Sequence, residues 1–166
     1  MIGPVNSGFD LQPEGLSSEG SARPMYVPKP SDLTAGGAAT DALELCVGDA
    51  FGVGVRSRVA FGKGEVLDHF DGRIERHVTQ HSLQIGPDSH ISETRFVGYL
   101  SHGCDPNCAL DMEARQLVAL TDIVAGELLR IDYAATEDTL YADFDCSCGA
   151  SNCRGRITGR LGPSTS

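Results

Sequence analysis

Cys146-Ser147-Cys148-Gly149-Ala150-Ser151-Asn152-Cys153 is the stretch on which the fold of this chain turns. Its spacing is C-x-C-x4-C. Three thiols so close in sequence converge only around a turn, and Gly149 supplies the backbone freedom for one. Structural zinc takes four tetrahedral thiolate or imidazole ligands, at about 2.3 Å for sulfur. One ligand must therefore come from elsewhere, and Cys46, Cys104 and Cys108 are the available thiols. Such a site contributes on the order of 10 kcal/mol, enough to order a loop-rich tail.

Composition bounds the rest. The chain has 166 residues, enough for one domain with a core of its own. With 20 Gly, 8 Pro and no Trp, it favours short strands and turns over long helices. A formal net charge of −10 argues against a nucleic-acid surface and fits either plain solubility or attraction of a cationic partner. Met1-Ile2-Gly3-Pro4 lacks a basic segment followed by an apolar run, and no stretch has the length of a bilayer span. The expectation is a cytoplasmic protein with no membrane partner. Its six cysteines would then point to a metal rather than to disulfides.

Along the chain, residues 1–40 are rich in Gly, Pro, Ser and Ala without period and read as a disordered or extended N-terminal arm. Order begins near Ala42. Leu43, Leu45 and Val47 alternate with polar or small neighbours as in a half-buried strand. Phe51-Gly52-Val53-Gly54-Val55 reads as a second, glycine-broken strand. Phe61 to Glu65 reads as a turn, followed by a strand from Val66 to Phe70. Further strands are expected at 81–85, 116–120 and 128–131, with a hairpin tip at 113–116. The pattern is mostly β. The acidic run of Asp132, Glu137, Asp138, Asp143 and Asp145 reads as a solvated loop or as a rim for a lysine-rich partner. His69, His77 and His90 read as scattered surface residues, and Cys46 and Cys108 as small core residues.

Leu100-Ser101-His102-Gly103-Cys104-Asp105-Pro106-Asn107-Cys108 combines a histidine, two thiols and a proline turn. A cysteine nucleophile with a histidine base is one reading. The sequence offers no third group to orient the base, and a metal-bound thiolate would not be free to attack.

These segments together resemble one family. Ser101 to Asn107 resembles the N-H-S-C-x-P-N signature of SET-domain methyltransferases. Gly126-Glu127-Leu128-Leu129-Arg130-Ile131-Asp132-Tyr133 is similar to their G-E-E-L-x-[FY]-D-Y segment. Phe144-Asp145-Cys146 through Arg154-Gly155-Arg156-Ile157 resembles the post-SET motif C-x-C-x4-C-R-G-x-I. Gly52-Val53-Gly54-Val55 and Gly62-Lys63-Gly64-Glu65 are similar to the opening G-x-G-V and K-G-E elements. The four occur in the family's order over residues 43–158.

The resemblance implies a mostly β, SET-domain β-clip-like fold with a C-terminal pseudoknot and a post-SET zinc tail. It implies a SET domain at 41–135, a post-SET zinc segment at 136–158 and a flexible tail at 159–166. By the same resemblance, Cys104 completes a structural zinc site with Cys146, Cys148 and Cys153. S-adenosylmethionine is the implied methyl donor, bound by Gly52, Val53, Gly54, Ser101, His102 and Tyr133, with Tyr133 also bordering the transfer site as the catalytic residue. The implied acceptor is a lysine in a protein or peptide. The chemistry is compatible: lysine starts near a pKa of about 10.4, and a dry channel beside a cationic sulfonium lowers it. Departures from the family pattern are Ser101 for Asn, Gly103 for Ser, Ile131 for Phe or Tyr, and His81 near a position where the family has a tyrosine. Two rival expectations follow from them: a zinc-stapled binding module without catalysis, or an enzyme of this fold acting on a small molecule.

Overall fold

The computed structural model describes residues 42–49 and 51–163; the arm at 1–40 and residues 164–166 of the tail lie outside the described residues. The described chain is built of short strands in five small sheets. β1 (Leu43–Gly48) pairs antiparallel with β2 (Gly52–Ser57), in register from Leu43 opposite Ser57 to Gly48 opposite Gly52. β3 (Val66–His69) pairs with β9 (Gln116–Ala119), which pairs in turn with β8 (Cys108–Asp111). β4 (Arg73–Glu75) and β5 (Leu83–Gly86) flank β6 (Ser89–Ser92). β7 (Ser101–His102) lies parallel to β10 (Arg130–Ile131), and β11 (Phe144–Asp145) pairs with β12 (Arg156–Ile157). Helix is confined to a 3-10 turn at Val97–Tyr99 and one α-helical turn, α1 (Tyr133–Thr136), among the described residues. The mostly β architecture read from turn density is the one observed.

One core joins four of these sheets. Leu43 and Val55 from the first sheet, Leu67, Cys108 and Leu117 from the second, and Leu83 and Ile91 from the third are buried together with Val97, Ile123 and Leu129. A smaller cluster of Cys104, Leu140 and Ile157 sits beside it, and Tyr133 packs against both. Cys108 therefore belongs to the core, its thiol pushed up to about 12 by burial.

The segment from Gly126 to Ile131 serves two sheets in succession, which is why only its last two residues form the strand expected over 128–131. Gly126 donates to the Ser57 carbonyl, Ser57 to that of Glu127 and Leu129 to that of Val55, so the segment first runs along β2. It then passes to β7, where Gly103 donates to the Ile131 carbonyl at 3.0 Å. The expected strand at 81–85 begins later, at Leu83, because Thr79 to Ser82 closes a turn in which Thr79 N–H donates to Ser82 Oγ. The hairpin tip falls where it was expected, between β8 and β9, with Arg115 at φ +52°. His90 is a correction: it is buried on β6 rather than on the surface. His69 and His77 are exposed.

Asn107 fixes the crossing. Its side-chain amide donates to Glu127 Oε1 and the Leu128 carbonyl, and its Oδ1 accepts from the Arg130 N–H at 2.8 Å. The turn residue thus caps distant backbone instead of its own loop. Gly159 to Gly162 are held as well, where flexibility was expected: Arg160 N–H donates to the Glu137 carbonyl and Leu161 N–H to that of Asp138. The Arg160 guanidinium reaches Asp138 Oδ1 and the carbonyls of Ala135 and Thr136.

Truncating Asn107 to Ala strands buried donors and acceptors on both crossing segments, and each orphaned group costs about 1–3 kcal/mol. The expected loss is about 2–4 kcal/mol, read from the midpoint of denaturant unfolding. A loss below 0.5 kcal/mol, on the order of an ordinary surface substitution, contradicts the clamp.

Candidate active site and metal centre

The four thiols of Cys104, Cys146, Cys148 and Cys153 gather at one place, all Sγ atoms within 4.8 Å of one another. Local structure explains the convergence. β11 and β12 bring Phe144 opposite Ile157, and Cys146 N–H donates to the Gly155 carbonyl at 2.6 Å, which closes the loop at its base. Gly149 turns the loop at φ +76°. Cys104 reaches it from the end of β7: Asn152 Nδ2 donates to the Cys104 carbonyl, and the Arg154 N–H points to Cys104 Sγ at 3.4 Å. Cys46, half-buried on β1, and Cys108, buried in the core, stay apart from this group.

A tetrahedron with about 2.3 Å metal–sulfur bonds has edges of about 3.8 Å. The Cys104–Cys146 separation of 4.0 Å is close to that edge, so this donor set suits a thiolate-preferring cation. Backbone hydrogen bonding at Cys104 and Ala150 lowers the Cys148 thiol to about 6, while burial pushes Cys146 up to about 12.

His102 connects this cluster to Tyr133. Its Nε2 lies 3.4 Å from Cys104 Sγ, and its Nδ1 accepts from the Tyr133 N–H at 3.3 Å. With Nδ1 an acceptor, the proton belongs on Nε2, facing sulfur. Burial holds the ring neutral, lowering its pKa against the pull of Asp132. The ring also meets Tyr133 and Phe144 edge-on, at centroid distances of 5.2 and 5.7 Å. Asp132 accepts from the Ala134 N–H, capping α1, and is paired with Arg154 from the thiol loop.

Beside the cluster lies a cavity of about 220 Å³ with a mainly apolar lining. Gly52 and Val53 border it on one side and Tyr133, Ile131 and His81 on others. The Tyr133 hydroxyl donates to the Leu100 carbonyl at 2.6 Å, and burial raises its pKa, so it stays a phenol. Gly52 adopts φ +69°, and a Cβ there would meet open space. A Cβ at Gly54 would approach Ser101 Oγ to 2.9 Å, so only glycine lets the two strands come this close. The Ser101 hydroxyl is buried without a hydrogen-bond partner. A glycine cradle and an orphaned hydroxyl fit a bound polar ligand.

The residues singled out from sequence thus fall into three places. Gly52, Val53 and Tyr133 face the cavity; Gly54 and Ser101 pack together behind its wall; the His102 ring turns to the thiols. Sequence reading missed Glu137 and Phe144, both of which line the cavity. Glu137 was grouped with a solvated acidic run, yet it is 5% exposed and accepts the Gln84 N–H on both oxygens, at 3.0 and 3.2 Å. Only a long-range contact with β5 buries it, which no local pattern displays.

No family model matches the chain. Methyltransferase flvH of Aspergillus flavus is 31% identical over 107 residues, 63% of this chain and 60% of flvH. Two crystal structures of KRYPTONITE, a SET-domain protein, match as well. One, in complex with mCHG DNA and SAH, gives a TM-score of 0.56 at 27% identity, covering 69% of this chain and 28% of that one. The other, with mCHH DNA, an H3(1-15) peptide and SAH, gives 0.54 at 26%, covering 69% and 29%. In sequence and in fold the chain is similar to SET-domain methyltransferases. It spans about three fifths of flvH and less than a third of KRYPTONITE. Both KRYPTONITE structures hold DNA, so these SET-domain neighbours lend no support to the expectation that nucleic acid is excluded. The SET-type order of segments explains why Cys104, far from the other thiols in sequence, meets them: the strand β7 that precedes it is locked beside β10.

Metal analysis separates the thiols. Cys104→Ser is expected to lose bound metal or weaken it at least about tenfold, as loss of one of four ligands implies. Cys108→Ser is expected to keep wild-type metal content. The reverse result, from elemental analysis of purified variants, overturns the four-thiol assignment.

Proposed function

We propose that this chain is an S-adenosylmethionine-dependent methyltransferase acting on a lysine side chain of a protein or peptide. The observation that carries the proposal is a single cavity bordered both by the Gly52 cradle and by Tyr133, beside four gathered thiols. The methyltransferase name of flvH and the SAH in both KRYPTONITE structures support the methyl donor. The H3 peptide in one of them supports a peptide acceptor.

S-adenosylmethionine, when bound, supplies an electrophilic methyl group on a sulfonium. Gly52 and Val53 offer backbone for its methionine part, and Gly54 and Ser101, packed together behind the wall, hold that backbone in place. Zinc would be held by Cys104, Cys146, Cys148 and Cys153, and its task would be structural, since four thiolate ligands would leave no open position for chemistry. Phe144, which lines the cavity, leads through β11 into the thiol loop, so order in that loop would steady this part of the wall. Tyr133 acts at the transfer site. With its hydroxyl proton committed to the Leu100 carbonyl, its oxygen keeps lone pairs able to accept from an amine N–H. The enzyme's work is positioning: donor and acceptor atoms about 3–3.5 Å apart in line, in a site that excludes water.

Isothermal titration with S-adenosylhomocysteine should show one site per zinc-loaded chain. Tyr133→Phe is expected to lower methyl transfer about 100-fold, a typical cost of misplacing a reactant, while leaving that titration unchanged. Absence of any binding by the metal-loaded protein refutes the methyltransferase reading. Undiminished turnover in Tyr133→Phe refutes the role given to the phenol.

A further inference from the structure

β1 is an outer strand with one of its two sides taken. The Ala42 carbonyl accepts from the Arg58 N–H and the Gly48 carbonyl from the Phe51 N–H, so the even-numbered residues turn their backbone toward β2. Backbone groups alternate sides along a strand, and Leu43, Leu45 and Val47 therefore turn their N–H and C=O groups the other way. No described residue pairs with them there. An open edge of this length is ordinarily guarded by proline, by lysine, by a bulge or by a covering element. β1 has no such guard: its register with β2 is unbroken, and its one charge, Glu44, is taken by Arg58. The edge of β5, by contrast, is covered, with the Gln84 N–H given to the Glu137 carboxylate. One face of β1 is also apolar. Leu43 lies in the core, Leu45 packs against it, and Val47 on the same face is 57% exposed.

The arm that leads into β1 contains Pro24-Met25-Tyr26-Val27-Pro28-Lys29-Pro30-Ser31. Met25-Tyr26-Val27 is the one run of three large apolar residues in 1–40, and Tyr and Val are strong strand formers. The prolines at 24, 28 and 30 all fall at even positions. In a strand they would share one side, so every missing N–H would face solvent and the odd-numbered residues would keep theirs for a neighbour. Residues opposite one another across a ladder also share a face. Pairing Met25, Val27 and Lys29 with the odd-numbered residues of β1 therefore lays Met25 and Val27 on the apolar face, beside Leu45 and Val47. Proline spacing and apolar alternation are separate features of the arm, and both select the same side. Residues 32–42, with Gly36-Gly37 among them, are enough chain to reverse direction before β1 begins.

We propose that residues 25–31 of this chain's own arm add to the free edge of β1 as an antiparallel strand, with the backbones of Met25, Val27 and Lys29 bonded to those of Leu43, Leu45 and Val47. The prolines then form the new outer edge and guard it against further pairing. β2 opens with Gly52 and Val53, which border the cavity, so a strand laid on β1 steadies the hairpin that carries this wall. The inference concerns the edge alone and does not depend on the methyltransferase reading.

Residue-resolved amide hydrogen exchange on the zinc-loaded full chain tests it. The Leu45 and Val47 amides face the free edge, whereas those of Glu44 and Cys46 face β2 and report whether the hairpin itself is folded. In the wild type all four are expected to be protected. Val27→Pro and Lys29→Pro each remove an N–H that faces β1, and each is expected to speed exchange at Leu45 and Val47 at least about tenfold while Glu44 and Cys46 stay slow. Tyr26→Pro changes the neighbouring residue just as severely but removes an N–H that faces solvent, and it is expected to leave all four amides protected. Fast exchange at Leu45 and Val47 in the wild type overturns the proposal. So does protection that survives either Val27→Pro or Lys29→Pro, or that is lost equally in Tyr26→Pro. Protection that rises with protein concentration, alongside a dimer in sedimentation, assigns the edge to a second copy of the chain and overturns it as well.

Discussion

The carboxamide of Asn107 holds together two stretches of backbone that no regular sheet would join. Its donors go to Glu127 and Leu128 and its oxygen takes the Arg130 N–H, all inside the protein. With those bonds made, β10 lies parallel to β7, and a short parallel pair needs such external support because two residues of ladder hold little by themselves. Everything in the site descends from this placement. Ser101 comes under Gly54, Cys104 is carried to the other thiols, and Ile131 and Tyr133 arrive at the cavity.

His102 makes metal and cavity parts of one arrangement. One ring nitrogen faces Cys104 sulfur and the other accepts from the backbone of Tyr133, so the orientation of the tyrosine is tied to the sulfur cluster through a single neutral ring. Partners of this kind around metal ligands orient the ligands and are as specific as the ligands themselves. Arg154 adds a second tie, donating its N–H to Cys104 sulfur and pairing with Asp132, the cap of α1.

Much of this was legible where the information is local. The alternation of Leu43, Leu45 and Val47, the hairpin tip near Arg115 and the C-x-C-x4-C spacing are patterns of a few residues, and each lies where its pattern placed it. Legibility ended where burial is decided by chain crossing. His90 and Glu137 look like surface residues in their own segments and are buried by partners far along the chain. The strand expected over 128–131 was shortened because Gly126 to Leu129 spends its hydrogen bonds on β2 first. His102 was read as a cofactor contact, and only three-dimensional proximity shows its ring turned to sulfur. Within the tail, Arg160 gives no periodic signal, yet it gathers the carbonyls that end α1.

That grip by Arg160 has a consequence for how the protein comes into being. The bulk of the core lies between Leu43 and Ile131, and those residues leave the ribosome before the thiol loop does. The thiol loop and the Gly159–Gly162 clasp that immobilises Glu137 follow later. Long-range contacts of this kind form slowly, because a large loop must close before any of them is rewarded. A nascent chain can thus acquire its interior while still lacking the pieces that finish the cavity. Completing the cavity is then a separate act of assembly, one that metal supply can interrupt.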